Sequence, residues 1–270
     1  MIVFPNAKVN IGLYVTEKRA DGFHNLESAF FPTNWTDILE ITPQETFEFS
    51  ASGLPISGNI ESNLCYRAYQ LLKEAYDIPG VHIHLHKIIP MGAGLGGGSS
   101  DAAYTLMALR DLFELPLSNT DLIPYAQKLG SDCAFFLLNT PAFGVGKGDE
   151  LSPIDCSIEN KFWVFVYPKM GISTQEAYAN IRPKPAKNHL PDALKRPISE
   201  WKNTIHNDFE DSVFPKYPLL KEIKEDLYAL GAIYASMSGS GSTLFGIFDH
   251  PIEIPEKWSS FDVRSMMYDV

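Results

Sequence analysis

The chain has 270 residues, 45% hydrophobic and 20% charged, enough to bury a sizeable core in one large domain or two intimate ones. Its net charge of -11, without any basic stripe, argues against a nucleic-acid partner and obliges an anionic ligand to rely on local donors. No apolar run approaches the ~20 residues of a membrane span, residues 1–5 are too short for a signal peptide, and the scattered Cys65, Cys133 and Cys156 read as reduced thiols, so a soluble cytoplasmic enzyme is expected.

Val9, Ile11, Leu13 and Val15 alternate with Lys8, Asn10, Gly12 and Tyr14, the period of a half-buried strand that sets Lys8 and Asn10 on one face. Two solvated polar residues on an edge strand would give the same pattern. Residues 19–22 read as a turn leading to Phe23 and His24, which on their own could be a core aromatic beside an incidental histidine. Residues 38–49 form one or two strands interrupted at Pro43. Asn63 is a plausible cap for a helix over 64–76, where Leu64, Ala68, Leu71, Leu72 and Ala75 have helical spacing. Over 81–89 a strand alternates Val81, Ile83 and Leu85 with His82, His84 and His86. Nothing nearby supplies a fourth metal ligand, so these histidines read as the wet face of an amphipathic strand rather than as a zinc site.

The most informative stretch follows. Residues 90–103, Pro-Met-Gly-Ala-Gly-Leu-Gly-Gly-Gly-Ser-Ser-Asp-Ala-Ala, place five glycines within seven positions, between that strand and a helix over 99–115. Glycines bare backbone N–H groups, and a helix start adds its own together with the positive end of its dipole, so an anion site is expected, most often one for phosphate. A merely flexible turn rarely needs five glycines and then two hydroxyls. The Gly-Lys-Ser/Thr ending of a Walker loop is missing. The dinucleotide fingerprint fits Gly92, Gly94 and Gly97, but its acidic candidates Asp111 and Glu114 fall inside the helix. Neither the His-Arg-Asp nor the Asp-Phe-Gly of protein kinases occurs.

A helix over 120–129 stops at Gly130. Asp132, ahead of the apolar run 133–138, is expected to be buried; near a lysine it would stay ionised and accept a proton from a substrate hydroxyl, although it could simply cap a short helix. Residues 162–167 form an apolar strand, and 183–197, with four prolines and four basic residues, read as a mobile loop. A helix over 219–230 ends at Gly231. Strands at 233–237 and 243–248 then flank Ser238-Gly239-Ser240-Gly241-Ser242, either a hairpin turn or a second backbone nest. Strands interleaved with helices, without βαβ regularity, indicate the α+β class in two halves joined near residue 150.

Taken in order, Ala7-Lys8-Val9-Asn10, the glycine loop with Ser99-Ser100, and Ser238-Gly239-Ser240-Gly241 resemble the galactokinase–homoserine kinase–mevalonate kinase–phosphomevalonate kinase (GHMP) superfamily over essentially the full chain. Arg19-Ala20-Asp21-Gly22-Phe23-His24 and Leu129-Gly130-Ser131-Asp132 resemble the branch whose substrate carries a cytidine diphosphate. The resemblance implies a two-domain α+β fold, with an N-terminal ATP-binding domain (1–150), a C-terminal domain (151–270) and the active site in the cleft between them. It further implies phosphoryl transfer from ATP, with Mg2+, to a hydroxyl of that small molecule.

On the matching positions, Lys8 and Asp132 would form the catalytic pair. Pro90, Met91, Gly92, Ala93, Gly94, Leu95, Gly96, Gly97, Gly98, Ser99 and Ser100 would wrap the ATP phosphates, and Asn63 and Leu64 would border the adenosine. Asn10, Ser238 and Gly239 would contact the substrate, Phe23 and Tyr178 would sandwich its cytosine, and His24 would bond its edge. Family members often carry Tyr at the position of Phe23. Ser100 is the hydroxyl expected near the metal. The protein would be a monomer or weak homodimer with neither nucleic acid nor membrane as partner. A mevalonate- or homoserine-type kinase, and a catalytically silent ligand-binding homologue, are the rival readings.

Overall fold

The fold is that of a computed structural model describing residues 1–156, 158 and 160–268. It begins with a short strand β1 (Ile2–Val3), the long β2 (Asn6–Lys18) and β3 (His24–Thr36), then β4 (Ile38–Pro43) and β5 (Glu48–Gly53). Next come α1 (Leu64–Tyr76), β6 (Val81–Lys87), α2 (Gly97–Leu112), α3 (Asn119–Leu129) and α4 (Cys133–Leu138). Strands β7 (Ala142–Val145), β8 (Glu150–Pro153) and β9 (Lys161–Tyr167) lead to the short helices α5 (Thr174–Ala179), α6 (Leu190–Leu194), α7 (Ile198–Thr204) and α8 (Asp208–Val213). The chain closes with α9 (Pro218–Ala229), β10 (Tyr234–Met237), β11 (Leu244–Phe248) and β12 (Asp262–Tyr268).

Two compact units interleave along the sequence. One comprises Met1–Ala7, Trp35–Met91 and Gly96–Thr140; the other comprises Lys8–Asn34, Gly92–Leu95 and Pro141–Val270. The compact units therefore do not divide at residue 150. Strand pairing is the reason: β3 pairs antiparallel with β7, Ser28 opposite Gly144, and β7 pairs with β8, so most of the β2–β3 ribbon joins the later residues.

In the first unit a sheet runs β1-β4-β6-β5, with β5 parallel to β6 and the other pairs antiparallel. The period-2 pattern of β6 buries Val81, Ile83 and Leu85 and leaves His82, His84 and His86 half-buried. Serines of the neighbouring β5 tie the imidazoles together: Ser50 Oγ lies 2.7 Å from His82 and 2.8 Å from His84, and Ser52 Oγ lies 2.9 Å from both His84 and His86. Helix α1 buries Cys65, Ala68, Tyr69 and Leu72, and α2 buries Ala102, Ala103, Leu106 and Leu109, each set at three- and four-residue spacing. Each such leucine contributes about 1.5–3 kcal/mol by leaving water. Cys65 and Cys133 are buried without a disulfide, and burial pushes both thiols up to about 12, so they stay protonated.

The second unit holds a sheet in the order β2-β3-β7-β8 and an antiparallel sheet in the order β10-β11-β9-β12. Helix α9 buries Leu220, Ile223 and Leu227 in a core shared with Leu13, Val15, Val164, Val166 and Phe209. Residues 183–197 are not simply a mobile loop, because α6 lies inside them. Leu190, Ala193 and Leu194 are buried at helical spacing, and Pro191 sits in the first turn, where its missing N–H costs nothing. Leu190 packs so closely on Gly12 that a Cβ at that glycine would stand 2.7 Å from it.

Candidate active site

The glycine loop owes its shape to alternation. Gly92, Gly94 and Gly96 take φ of 63°, 78° and 69°, while the intervening Ala93 and Leu95 are buried as anchors. Only glycine enters that left-handed region without a Cβ penalty. Within the second unit, Ala93 O accepts the Thr243 N–H at 3.2 Å, Gly94 O accepts the Ser238 hydroxyl at 2.8 Å, and Leu95 O accepts the Lys8 N–H at 2.9 Å. In a planar trans peptide the N–H points opposite to the C=O, so the amides of Gly94, Leu95 and Gly96 turn away from these partners.

The serine–glycine segment of 238–242 is thereby more than a hairpin turn, since Ser238 braces the first loop. A Cβ at Gly94 would stand 2.0 Å from the Ser238 carbonyl oxygen, whereas one at Gly92 would meet nothing within 4 Å. Gly92→Ala is expected to cost only the left-handed strain of about 1–2 kcal/mol. Gly94→Ala adds a backbone collision and is expected to lower the melting temperature by more than the ~2–4 °C that each kcal/mol is worth at this size. Equal melting temperatures for the two variants would contradict the bracing. Beneath the segment, the Asn207 amide donates to Met237 O at 2.7 Å and Gly239 O at 2.9 Å, and Glu210 accepts the Met237 N–H at 2.9 Å. Neither Asn207 nor Glu210 was marked by any sequence signal.

Lys8 and Asn10 share a face, as the alternation requires, and β2 is an edge strand, but the two side chains are not solvated: both are buried, at 3% and 2% exposure. The Lys8 ammonium donates to Asn10 Oδ1 at 2.6 Å and to Gly94 O at 3.2 Å, and it stands 5.6 Å from the Phe30 ring centre. The Asn10 amide donates to Ser28 Oγ at 2.8 Å, and Ser28 donates to Gly12 O at 2.7 Å. One chain of bonds thus fixes a cation against the loop. Ser28 belongs to β3, a strand without a clear alternating pattern.

The turn before His24 is closed by Asp21, which accepts from the Arg19 Nε at 3.1 Å and the Phe23 N–H at 3.1 Å. Phe23 is left 59% exposed, with the Lys147 ammonium 5.3 Å over its ring. His24, expected at the edge of a base, lies flat on Tyr178 instead, with ring centres 4.6 Å apart and 17° between planes; Tyr178 meets Phe209 edge-on at 4.8 Å. Burial, and then the Lys18 charge, hold the His24 imidazole below its ordinary value, so it is neutral at pH 7.

In the first unit, Asn63 caps α1 by accepting the Cys65 N–H at 2.9 Å, and Leu64 opens the helix. A Cβ at Gly98 would stand 3.9 Å from Leu64, so the starts of α1 and α2 are neighbours. The turn carrying Asp132 lies against the first turn of α2, since a Cβ at Gly130 would stand 3.8 Å from Ser99 Oγ and 3.5 Å from Cys133 Sγ. Asp132 is half-buried rather than buried as expected, because it sits outside α4 while the run after it packs inward. Its side chain makes no capping bond, so the capping alternative does not explain it. Ser100 is fully buried, and its hydroxyl has no hydrogen-bond partner among the described residues. Pro90 is buried and Met91 is 42% exposed.

A charged cluster outside every expectation joins Lys87 to Asp37 and Asp101, all buried. The Lys87 ammonium donates to Asp37 Oδ2 at 2.5 Å and to Asp101 Oδ2 at 2.6 Å. Burial alone would lower the lysine's pKa, but the Asp101 and Asp37 charges outweigh it and raise it; burial pushes Asp101 up to about 7 against the pull of Lys87. The signal was present: Lys87 falls in phase with the buried Val81, Ile83 and Leu85.

The chain matches the family described as GHMP kinases N terminal domain over residues 63–140 and that described as GHMP kinases C terminal over residues 190–263. It is 51% identical over 252 residues, 92% of each chain, to 4-diphosphocytidyl-2-C-methyl-D-erythritol kinase of Bacteroides fragilis. It is 50% identical over 250 residues, 92% of this chain and 93% of the relative, to the enzyme of that name from Cytophaga hutchinsonii. Among solved structures it is similar to a 4-(cytidine 5'-diphospho)-2C-methyl-D-erythritol kinase, with TM-score 0.78 and 36% identity over 92% of this chain and 90% of that one. The mevalonate kinase of Methanococcus jannaschii shares the fold, with TM-score 0.69 at 14% identity over 100% and 98% of the two chains.

Proposed function

The chain belongs to the GHMP kinases, and from that membership we propose that it transfers the terminal phosphoryl group of ATP to the 2-hydroxyl of 4-diphosphocytidyl-2-C-methyl-D-erythritol, a step of non-mevalonate isoprenoid precursor synthesis. The observation that carries the mechanism is the buried Lys8 ammonium, bonded to the phosphate-type loop at Gly94 and oriented by Asn10.

Phosphoryl transfer passes through a loose transition state, so positioning and charge stabilisation outweigh base strength. The loop amides and the first N–H groups of α2, which have no intrahelical partners, hold the phosphates. Lys8 offsets charge developing on the transferred group. Asp132 accepts the hydroxyl proton as the substrate oxygen bonds to phosphorus and ADP departs. Asn10, whose amide is engaged by Lys8 and Ser28, serves by orienting the lysine as much as by touching substrate. Ser238 and Gly239 close on the sugar-alcohol end, and Asn63 and Leu64 border the adenosine. For Mg2+, the buried Ser100 hydroxyl, without a protein partner among the described residues, would be a ligand. The ion would supply neutralisation of phosphate charge that a chain of net charge -11 does not.

Phe23, His24 and Tyr178 recognise the cytosine by stacking and by edge bonding from a neutral imidazole. Because His24 rests on Tyr178, a base entering between the aromatic rings displaces it from that face. CDP at one hundred times its Kd is expected to stabilise the protein by about 2.7 kcal/mol, a rise of several degrees in melting temperature, while mevalonate and homoserine produce none. Tyr178→Ala is expected to abolish the CDP shift and keep the ATP shift. A shift with mevalonate but not with CDP would refute the assignment. No described helix is long and apolar enough to cross a membrane; action in the cytoplasm, as a monomer or weak homodimer, completes the proposal.

A further inference from the structure

The Asp37–Lys87–Asp101 cluster lies under the two ends of the glycine loop. Lys87 is the last residue of β6, three residues before Pro90, and Asp101 stands in the second turn of α2, just beyond the loop. Asp37, between β3 and β4, also accepts the backbone N–H groups of Ile88 at 2.5 Å and Ile89 at 2.8 Å with its other oxygen. Three chain segments are thereby tied at one ammonium. Gly97 completes the fit: a Cβ there would stand 3.0 Å from Lys87 Nζ and 2.9 Å from Ile89, so the first residue of α2 rests directly on the lysine.

Such a cluster is a poor device for stability alone. Removing ionisable groups from water can cost more than their mutual attraction returns, and apolar residues of similar volume often serve as well or better. Two carboxyl groups share the one ammonium. What hydrogen bonds to a fixed cation do supply is direction and a defined separation. We infer that Lys87, through Asp37 and Asp101, is a positioning residue that sets the distance and angle between the strand entering the glycine loop and the helix leaving it, and so holds the loop amides in register with the ATP phosphates. The inference rests on the ATP-loop assignment made above. Lys87 does not touch the nucleotide; its side chain is only 1% exposed.

Replacing Lys87 alone strands two buried carboxylates and endangers folding, so the test cuts the tie elsewhere. Asp101→Ala leaves the Lys87–Asp37 pair balanced. It is expected to raise KM for ATP about tenfold, a loss of about 1.4 kcal/mol, with KM for the cytidine substrate unchanged. Asp101→Asn keeps an acceptor for Lys87 and is expected to restore KM for ATP to near the wild-type value. The triple variant D37N/K87M/D101N removes the tie without stranding a charge and is expected to show the same rise in KM for ATP while remaining folded. An unchanged KM for ATP in both Asp101→Ala and the triple variant, or a parallel change in both KM values, overturns the inference. Failure of the wild-type protein to be stabilised by ATP would instead defeat the loop assignment, and the inference with it, so the two failures are distinguishable.

Discussion

Asp132→Asn is expected to lower kcat by about 10²–10⁴-fold, the range in which positioned proton acceptors contribute, while KM for ATP stays within about twofold. Asparagine keeps the size of the carboxylate while removing its charge and its ability to take a proton. The side chain is half-buried and makes no capping bond to α4, and a melting curve of the variant separates chemistry from folding. Single-turnover assays with preloaded ATP check it directly. A fall in kcat of less than about tenfold would show that the hydroxyl proton goes elsewhere.

Lys8→Met is expected to lower kcat by about 10²–10³-fold, as loss of one preorganised group facing developing charge does. Methionine fills much of the same volume but leaves Asn10 Oδ1 without the donor it now has at 2.6 Å, whereas Gly94 O keeps the Ser238 hydroxyl at 2.8 Å. That one stranded acceptor costs about 1–3 kcal/mol, so a lower melting temperature accompanies the kinetic defect. Measuring kcat well below that melting temperature separates the two. If Lys8→Met keeps kcat within about fivefold of wild type, the lysine is structural and its charge is not used on the phosphoryl group.

The parts of the molecule legible in the sequence were those written in a short local code. Alternation along residues 8–15 puts Lys8 and Asn10 on one face, helical spacing fixes α1, α2, α3 and α9 to within a few residues, and the alternating glycines mark the loop. Where local code was overruled by distant partners, legibility failed. Strand β3 lacks a clear alternation because Ser28 and its neighbours serve a hydrogen-bond network and a partner strand far along the chain. Four prolines disguised α6, whose Leu190, Ala193 and Leu194 are recognisable only once their burial is known. Strand β12 has only a half-exposed apolar pattern and exists because β9 offers it an edge. Asn207 and Glu210 hold the second loop by bonds to its backbone, a role that leaves no periodic trace. Lys87 could have been found, since a lysine in phase with a buried face demands buried carboxylates.

In the function proposed, the protein phosphorylates a cytidine-capped sugar alcohol, with Lys8 and Asp132 as its catalytic residues. Phosphorus NMR of the purified protein incubated with ATP, Mg2+ and 4-diphosphocytidyl-2-C-methyl-D-erythritol tests it most directly. A new phosphate-monoester resonance that grows as ATP becomes ADP, with the diphosphate signals of the cytidine group unaltered, is the predicted spectrum. Consumption of ATP without that resonance, or its appearance only when mevalonate or homoserine replaces the cytidine compound, would contradict the account.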